Sequence, residues 1–283
     1  MDRGNIAIIT DSSCDIPKEY IKQHNIFVLP LHINMPEGQY LDGVDISPEE
    51  VYARMPKVVP STSQPSPGDI KQLFERIKKE GYKEAIAVCI SSGLSGTFDV
   101  INMCAKEEEE LAVYLFDSHR LSMALGMLVM QAVEMSENEC NLQEILDALN
   151  SNWKNTNDFF CMPSLSYLIK GGRIGLVAGT LGTLMGIIPI ISINDGGRYY
   201  TLAKTRSYSI AIKKIEETIK ELVKGKIADI AVMQGDAMDM ANELYSNFKN
   251  IDSLRNIYLC SVSPAMGVHT GPGLIGVAYR III

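Results

Sequence analysis

Ala85-Ile86-Ala87-Val88-Cys89-Ile90-Ser91-Ser92-Gly93-Leu94-Ser95-Gly96-Thr97 is the stretch that decides the fold. An unbroken apolar run of strand length ends in hydroxyls and glycines and opens onto a segment with helical spacing. It reads as a buried strand, a sharp turn and a helix start. Gly93 and Gly96 carry no Cβ, so the turn can bend tightly and let a ligand approach, while the first N–H groups of the next helix aim at the same spot. An oxyanion-binding turn follows from this reading. An ordinary strand-to-helix turn capped by Ser92 or Ser95 fits the same letters.

The neighbouring segments repeat the pattern. Ile6 to Thr10 is a β-branched run ending in Asp11-Ser12-Ser13, Pro17 opens a short helix to about Gln23, and a second strand is expected from Phe27 to Ile33. Ser47-Pro48-Glu49-Glu50 and Ser66-Pro67-Gly68-Asp69 are capping signatures with proline at the first helical position. They predict helices over Glu49–Met55 and from Pro67 to about Glu80, the second ended by Gly81. A strand over 84–90, a helix near 98–110, a strand over 111–116 ending in Asp117-Ser118 and a helix near 119–136 complete the alternation. Alternating strands and helices predict a mainly parallel sheet in a three-layer αβα arrangement. Ligands bind such sheets outside the carboxyl ends of the strands. The ends at Asp11-Ser12-Ser13, Ser91 to Ser95 and Asp117-Ser118 are therefore expected to share one rim. The methionine- and leucine-rich 121–133 stretch reads as core.

Beyond a helix over 141–152 the character changes, and the chain is divided into an N-terminal α/β domain (1–155) and a C-terminal α+β domain with a mixed sheet (156–283). Asn194-Asp195-Gly196-Gly197 before Tyr199-Tyr200-Thr201-Leu202 signals a hairpin. A helix over 207–224, a strand over 227–233, a helix over 236–249 and a strand over 256–260 follow, and this unit ends in Gly267-Val268-His269-Thr270-Gly271-Pro272-Gly273.

Composition excludes several roles. A net charge of −8, with no run of Lys or Arg, argues against a nucleic-acid partner. The cysteines at 14, 89, 104, 140, 161 and 260 form no C-x-x-C, and the first residues lead straight into a strand, so a reduced cytoplasmic protein without a metal site is expected. From Ile174 to Asn194 there are 21 residues without a charge, long enough to span a bilayer. Pro189 splits that segment into a glycine-rich half and a strand-like half. It reads as a buried apolar wall, with no stable transmembrane insertion and at most transient membrane contact.

Five stretches occur in order: Thr10-Asp11-Ser12-Ser13; Pro60-Ser61-Thr62-Ser63-Gln64-Pro65-Ser66-Pro67; Ile90 to Thr97; Leu168-Ile169-Lys170-Gly171-Gly172-Arg173-Ile174-Gly175; and His269-Thr270-Gly271-Pro272-Gly273. Together they resemble, in order and spacing, the DegV family of bacterial fatty-acid-binding proteins, over essentially the whole chain. The resemblance implies a long-chain fatty acid such as palmitate held between two domains, with no cofactor. Thr62 and Ser95 match the family's head-group contacts, with His269 close to the same network and Ser63, Ser92, Gly93, Gly96, Thr270 and Gly271 in support. It further implies a non-catalytic subunit that presents the acid to a separate fatty acid kinase, whose acyl-phosphate product feeds phospholipid synthesis. Arg173 and Arg206, alongside Lys170 and Lys204, are the basic positions toward that partner. Where relatives carry Leu-Asn-Ile-Lys-Pro this chain has Met185-Gly186-Ile187-Ile188-Pro189, a more apolar wall.

Physical scale agrees with a carrier. About fourteen methylenes at roughly 0.8 kcal/mol each give about 11 kcal/mol of gross burial, before association costs. The rival reading is a serine hydrolase: Gly93-Leu94-Ser95-Gly96-Thr97 departs from the G-x-S-x-G elbow only at its last position, and Ser95 followed late by His269 has the hydrolase chain order.

Overall fold

The computed structural model describes residues 6–55, 57–175, 177 and 186–282. Along the chain, β1 (Ile6–Asp11), α1 (Lys18–Gln23), β2 (Phe27–Leu29), β3 (His32–Met35), β4 (Gly38–Leu41), α2 (Pro48–Arg54) and β5 (Ser61–Ser63) come first. They are followed by α3 (Pro67–Lys79), β6 (Glu84–Cys89), α4 (Thr97–Lys106), β7 (Ala112–Asp117), α5 (Ser122–Glu137) and α6 (Leu142–Asn152). The second half holds β8 (Thr156–Cys161), α7 (Ser166–Lys170), β9 (Ile188–Ile193), β10 (Tyr199–Thr205) and α8 (Tyr208–Val223). It closes with β11 (Ala228–Gly235), α9 (Met238–Phe248), β12 (Leu254–Ser261), α10 (Pro264–Thr270) and β13 (Leu274–Ile281).

Three sheets result. β2-β1-β6-β7 is parallel throughout, as the alternation predicts. β10-β9-β8-β13-β11-β12 is mixed, parallel only between β11 and β12, and the Asp195-Gly196 signal is indeed the hairpin joining β9 to β10. A small antiparallel sheet, β4-β3-β5, stands apart. The expected single strand from Phe27 to Ile33 is therefore two strands in two sheets. Pro30 has no N–H for a ladder, and the Leu31 N–H is taken by the Ser12 hydroxyl at 2.9 Å.

α5 explains how the sheets are joined. It is apolar around its whole circumference, the pattern of a buried helix, and it packs in one cluster with Ile86 and Val88 of β6, Phe160 of β8, and Ile191 and Ile193 of β9. The methionine-rich stretch is thus core, as expected. Both capping signatures form as read: Ser47 with Glu50 and Ser66 with Asp69 exchange their side-chain and backbone bonds. The strand half of the apolar wall is β9, buried from Pro189 to Ile193, whereas 176 and 178–185 lie outside the described residues. Gly186 takes a φ of +90°, and Ile188 opens β9, so these two departures from the family pattern shape a turn and a strand start. All six cysteines are free. No described helix is long and apolar enough to cross a membrane.

Candidate functional site

The carboxyl ends of β1, β6 and β7 do share one rim. The buried Asp11 carboxylate accepts the Ile90 N–H at 2.8 Å and the Ser13 N–H at 3.1 Å. Asp117 accepts the Ser92 hydroxyl at 2.5 Å and the His119 N–H at 3.1 Å. These bonds fix the turn that begins α4. On its far side the turn meets the β9–β10 hairpin: the Ser91 hydroxyl donates to the Gly197 carbonyl at 2.7 Å, and a Cβ on Gly93 would lie 2.7 Å from that same oxygen. Only glycine allows this backbone approach.

Two elements absent from the sequence reading complete the site. β5 pairs with β3, setting Thr62 opposite Ile33, so Thr62 sits on a strand. α10 carries His269 near its end and begins with Ser263 as N-cap and Pro264 at the first helical position. Thr62 Oγ1 and His269 Nε2 lie 2.7 Å apart. Ser95 Oγ, in the turn before α4, lies 2.8 Å from Thr97 Oγ1 and accepts the Thr97 N–H at 3.3 Å.

Thr62, Ser95, His269 and Arg173 line one small cavity, whose other walls are Leu31, Ile90, Leu94, Leu121, Tyr199, Ala265 and Met266. Among the described residues no carboxylate lines it, and its one permanent charge is the Arg173 guanidinium, exposed and donating from Nη1 to the Gly171 carbonyl at 2.9 Å. Burial pushes the His269 imidazole down to about 4, and the Arg173 charge pushes the same way, so the ring is neutral near pH 7. His269 Nδ1 is buried with no hydrogen-bond partner among the described residues. The tautomer with hydrogen on Nε2 leaves no ring N–H unpaired. Nε2–H then donates to Thr62 Oγ1, and the threonine hydrogen is free for an acceptor in the cavity. Gly171 makes room for this ring, since a Cβ there would fall 2.2 Å from Nδ1.

A second, small inner cavity shares Leu121 and Met266 with the first and is lined by Phe160, Met233, Val262 and Leu274, with Ser122, Thr270 and the buried Asp158 also in its wall. The two adjoin at Leu121 and Met266, the outer carrying the hydroxyls and the cation and the inner lying against the core. Two adjoining spaces separated by a flexible methionine suit a long, thin apolar ligand.

The other expected positions fall elsewhere. Ser63 accepts from Asn34 Nδ2 at 3.4 Å in the small sheet, and Ser92 is held by Asp117 at the rim. Gly93 and Gly96 shape the turn behind Ser95, and none of these four lines the cavity. Thr270 lines the inner cavity and donates to the Met266 carbonyl at 3.1 Å, closing α10. Gly271, at φ +71°, packs its backbone against the Tyr167 ring. Arg173, expected to face a partner, is part of the cavity wall, because the turn after α7 folds back over α10. Arg206 is exposed just after β10, away from the cavity lining. The hydrolase alternative finds no support. Ser95 bonds Thr97 rather than His269, His269 bonds Thr62, and among the described residues no carboxylate orients Nδ1.

The sequence matches the family described as "Uncharacterised protein, DegV family" over residues 5–281. The chain belongs to the DegV family. It is 42% identical to a DegV domain-containing protein of Clostridium acetobutylicum over 272 residues, covering 96% of this chain and 97% of that one. Among solved structures, DegV, a fatty acid binding protein from Bacillus subtilis, superposes with a TM-score of 0.92 at 27% identity, covering 99% of this chain and 100% of the other. The stearic acid-binding protein from Eubacterium ventriosum does so with a TM-score of 0.85 at 27% identity, covering 98% of each chain. The DegV fold of those proteins is the fold described above.

Proposed function

We propose that this chain binds a long-chain fatty acid with its carboxylate at the Thr62–His269 pair and Ser95, and its acyl chain directed past Leu121 and Met266 into the inner cavity. The observation that carries the reading is the outer cavity itself: two hydroxyls and one cation in its wall, no carboxylate among its described lining residues, and a mainly apolar space behind it in which the one carboxyl, Asp158, is raised to about 7 by burial. The Thr62 and Ser95 hydroxyls donate to the head group, and charge-assisted bonds of this kind contribute about 1.5–3 kcal/mol each. Arg173 supplies the counter-charge. The relatives named as fatty acid and stearic acid binding proteins support the ligand class. The domain boundary near 155 fits this reading, since the strands of the parallel sheet all precede it and those of the mixed sheet all follow it.

In the same reading the protein performs no chemistry of its own and presents the acid to a separate fatty acid kinase, in the cytoplasm. Arg206 is the exposed contact to that partner, and Arg173 lies at the mouth where phosphoryl charge would develop. Arg206→Ala is expected to retain bound lipid and to slow acyl-phosphate formation by a cognate kinase; unchanged turnover with a proven partner would remove that role. Ligand class is tested by mass spectrometry of lipid released from protein purified from bacteria, with close to one fatty acid per chain expected. Protein that is empty and also fails to bind added fatty acid would overturn the carrier reading.

A further inference from the structure

Both members of the Thr62–His269 pair are tied, through backbone, to one buried carboxylate outside the cavity. Asp42, just after β4, is 2% exposed. Its N–H donates to the Leu31 carbonyl at 2.9 Å, and its Oδ2 accepts the Ser12 hydroxyl at 2.6 Å, while Ser12 Oγ accepts the Leu31 N–H at 2.9 Å. Leu31 is thereby clamped at both of its peptide groups. It leads directly into β3, whose Ile33 pairs with Thr62. The other oxygen, Asp42 Oδ1, accepts the Ala265 N–H at 2.9 Å in the first turn of α10, the helix that delivers His269. A second buried carboxyl, Asp15, accepts the N–H of the cap residue Ser263 at 2.7 Å. The amides that open α10 are thus held by side chains from the other half of the chain. Ala265 and His269 stand about one turn apart, so a displacement of the first turn reaches His269 almost undiminished.

We infer that Asp42 is a positioning residue for the ligand head group, setting α10 against β3 so that His269 Nε2 meets Thr62 Oγ1. The inference rests on the fatty-acid reading for its binding consequence, and on hydrogen-bond geometry alone for its effect on His269. Asp42→Ala removes both acceptors. Asp42→Asn keeps one oxygen for the Ala265 N–H and leaves only the Ser12 hydroxyl without its acceptor, so it is the conservative rescue.

The test compares the full-length wild type with both variants. Affinities for palmitate and for hexadecanol are measured by competition against a fluorescent lipid, together with the His269 Nε2 signal by nitrogen-15 NMR and the melting temperature. Asp42→Ala is expected to bind palmitate about tenfold or more weakly, to lose less affinity for hexadecanol, and to shift the His269 Nε2 signal; Asp42→Asn recovers most of each. Should the alanine variant fail to fold, Asp42→Ser, whose one oxygen cannot serve both Ser12 and Ala265, replaces it with the same expected losses. A folded Asp42→Ala or Asp42→Ser variant with wild-type palmitate affinity and an unmoved His269 signal overturns the inference. Equal losses for acid and alcohol with an unmoved signal also overturn it, in favour of a purely structural role. A wild type that binds no palmitate overturns the fatty-acid reading instead, and the His269 signal then decides the positioning claim by itself.

Discussion

Replacing Thr62 with valine deletes one hydroxyl while keeping the β-branched shape that fits β5. In the free protein the change leaves His269 Nε2 without its partner at 2.7 Å. In the complex it removes a donor to a carboxylate, worth about 1.5–3 kcal/mol, so palmitate affinity falls roughly ten- to hundredfold. Hexadecanol presents only a neutral hydroxyl, and loss of such a bond costs about 0.5–1.5 kcal/mol. The acid must therefore suffer more than the alcohol. Isothermal titration of both ligands against wild type, Thr62→Val and Ser95→Ala reads the difference directly, with circular dichroism to show that the fold is intact. Unchanged palmitate affinity in the Thr62→Val, Ser95→Ala double variant, or equal losses for acid and alcohol, would refute the head-group assignment.

Further outcomes follow from the same geometry. Gly171→Ala places a methyl where 2.2 Å separates it from His269 Nδ1, so the ring must move; palmitate binding weakens in calorimetry although α7 itself tolerates alanine. Leu274→Trp fills the inner cavity, and the lipid recovered from that variant is expected to shift to shorter chains; an unaltered chain-length profile would mean the tail runs elsewhere. His269 binds its proton more weakly folded (about 4) than unfolded (6.5), so its contribution to stability is present above pH 6.5 and is lost as pH falls toward 4. The loss is about 3 kcal/mol at most, and His269→Gln should flatten that limb of urea-unfolding curves. Asp15 behaves oppositely: burial raises its carboxyl from 3.8 to about 8, so the folded state holds the proton more tightly and stability declines as pH rises across that window. Asp15→Asn, which cannot ionise, should make the decline shallower in the same assay, the part that remains coming from Asp42 and Asp158, raised by burial to about 6 and about 7.

Much of this was legible in the letters, for identifiable reasons. The alternation of apolar runs with capping signatures gave the parallel sheet, because strand length and helix starts are written locally; Ser47-Pro48 and Ser66-Pro67 each announce a helix. The same grammar stands at Ser263-Pro264, yet α10 went unread, since the glycines that follow look like a loop. β5 has only three residues and no period to detect, so nothing in the letters places Thr62 on a strand, although its position in a ladder is what aims it. β13 was missed because its buried residues do not alternate with polar ones, as befits a strand in the middle of a sheet covered on both faces. The convergence of Thr62, Ser95 and His269 came from family resemblance, and no spacing rule could have supplied contacts across 207 positions. Arg173 stands out in the letters only through the family resemblance of its stretch, and its place in the cavity wall comes from folding; Asp42 carries no local signal that separates it from a solvated charge.

The central claim is that the carboxylate end of a fatty acid lies between Thr62, Ser95 and His269 with its chain buried beyond Leu121. A crystal structure of the palmitate complex tests it most directly. The expected result is carboxylate oxygens within hydrogen-bonding distance of Thr62 Oγ1 and Ser95 Oγ, and chain density passing Met266 toward Phe160 and Leu274. Palmitate found with its carboxylate away from both hydroxyls, or lodged in another cavity of the molecule, would contradict it.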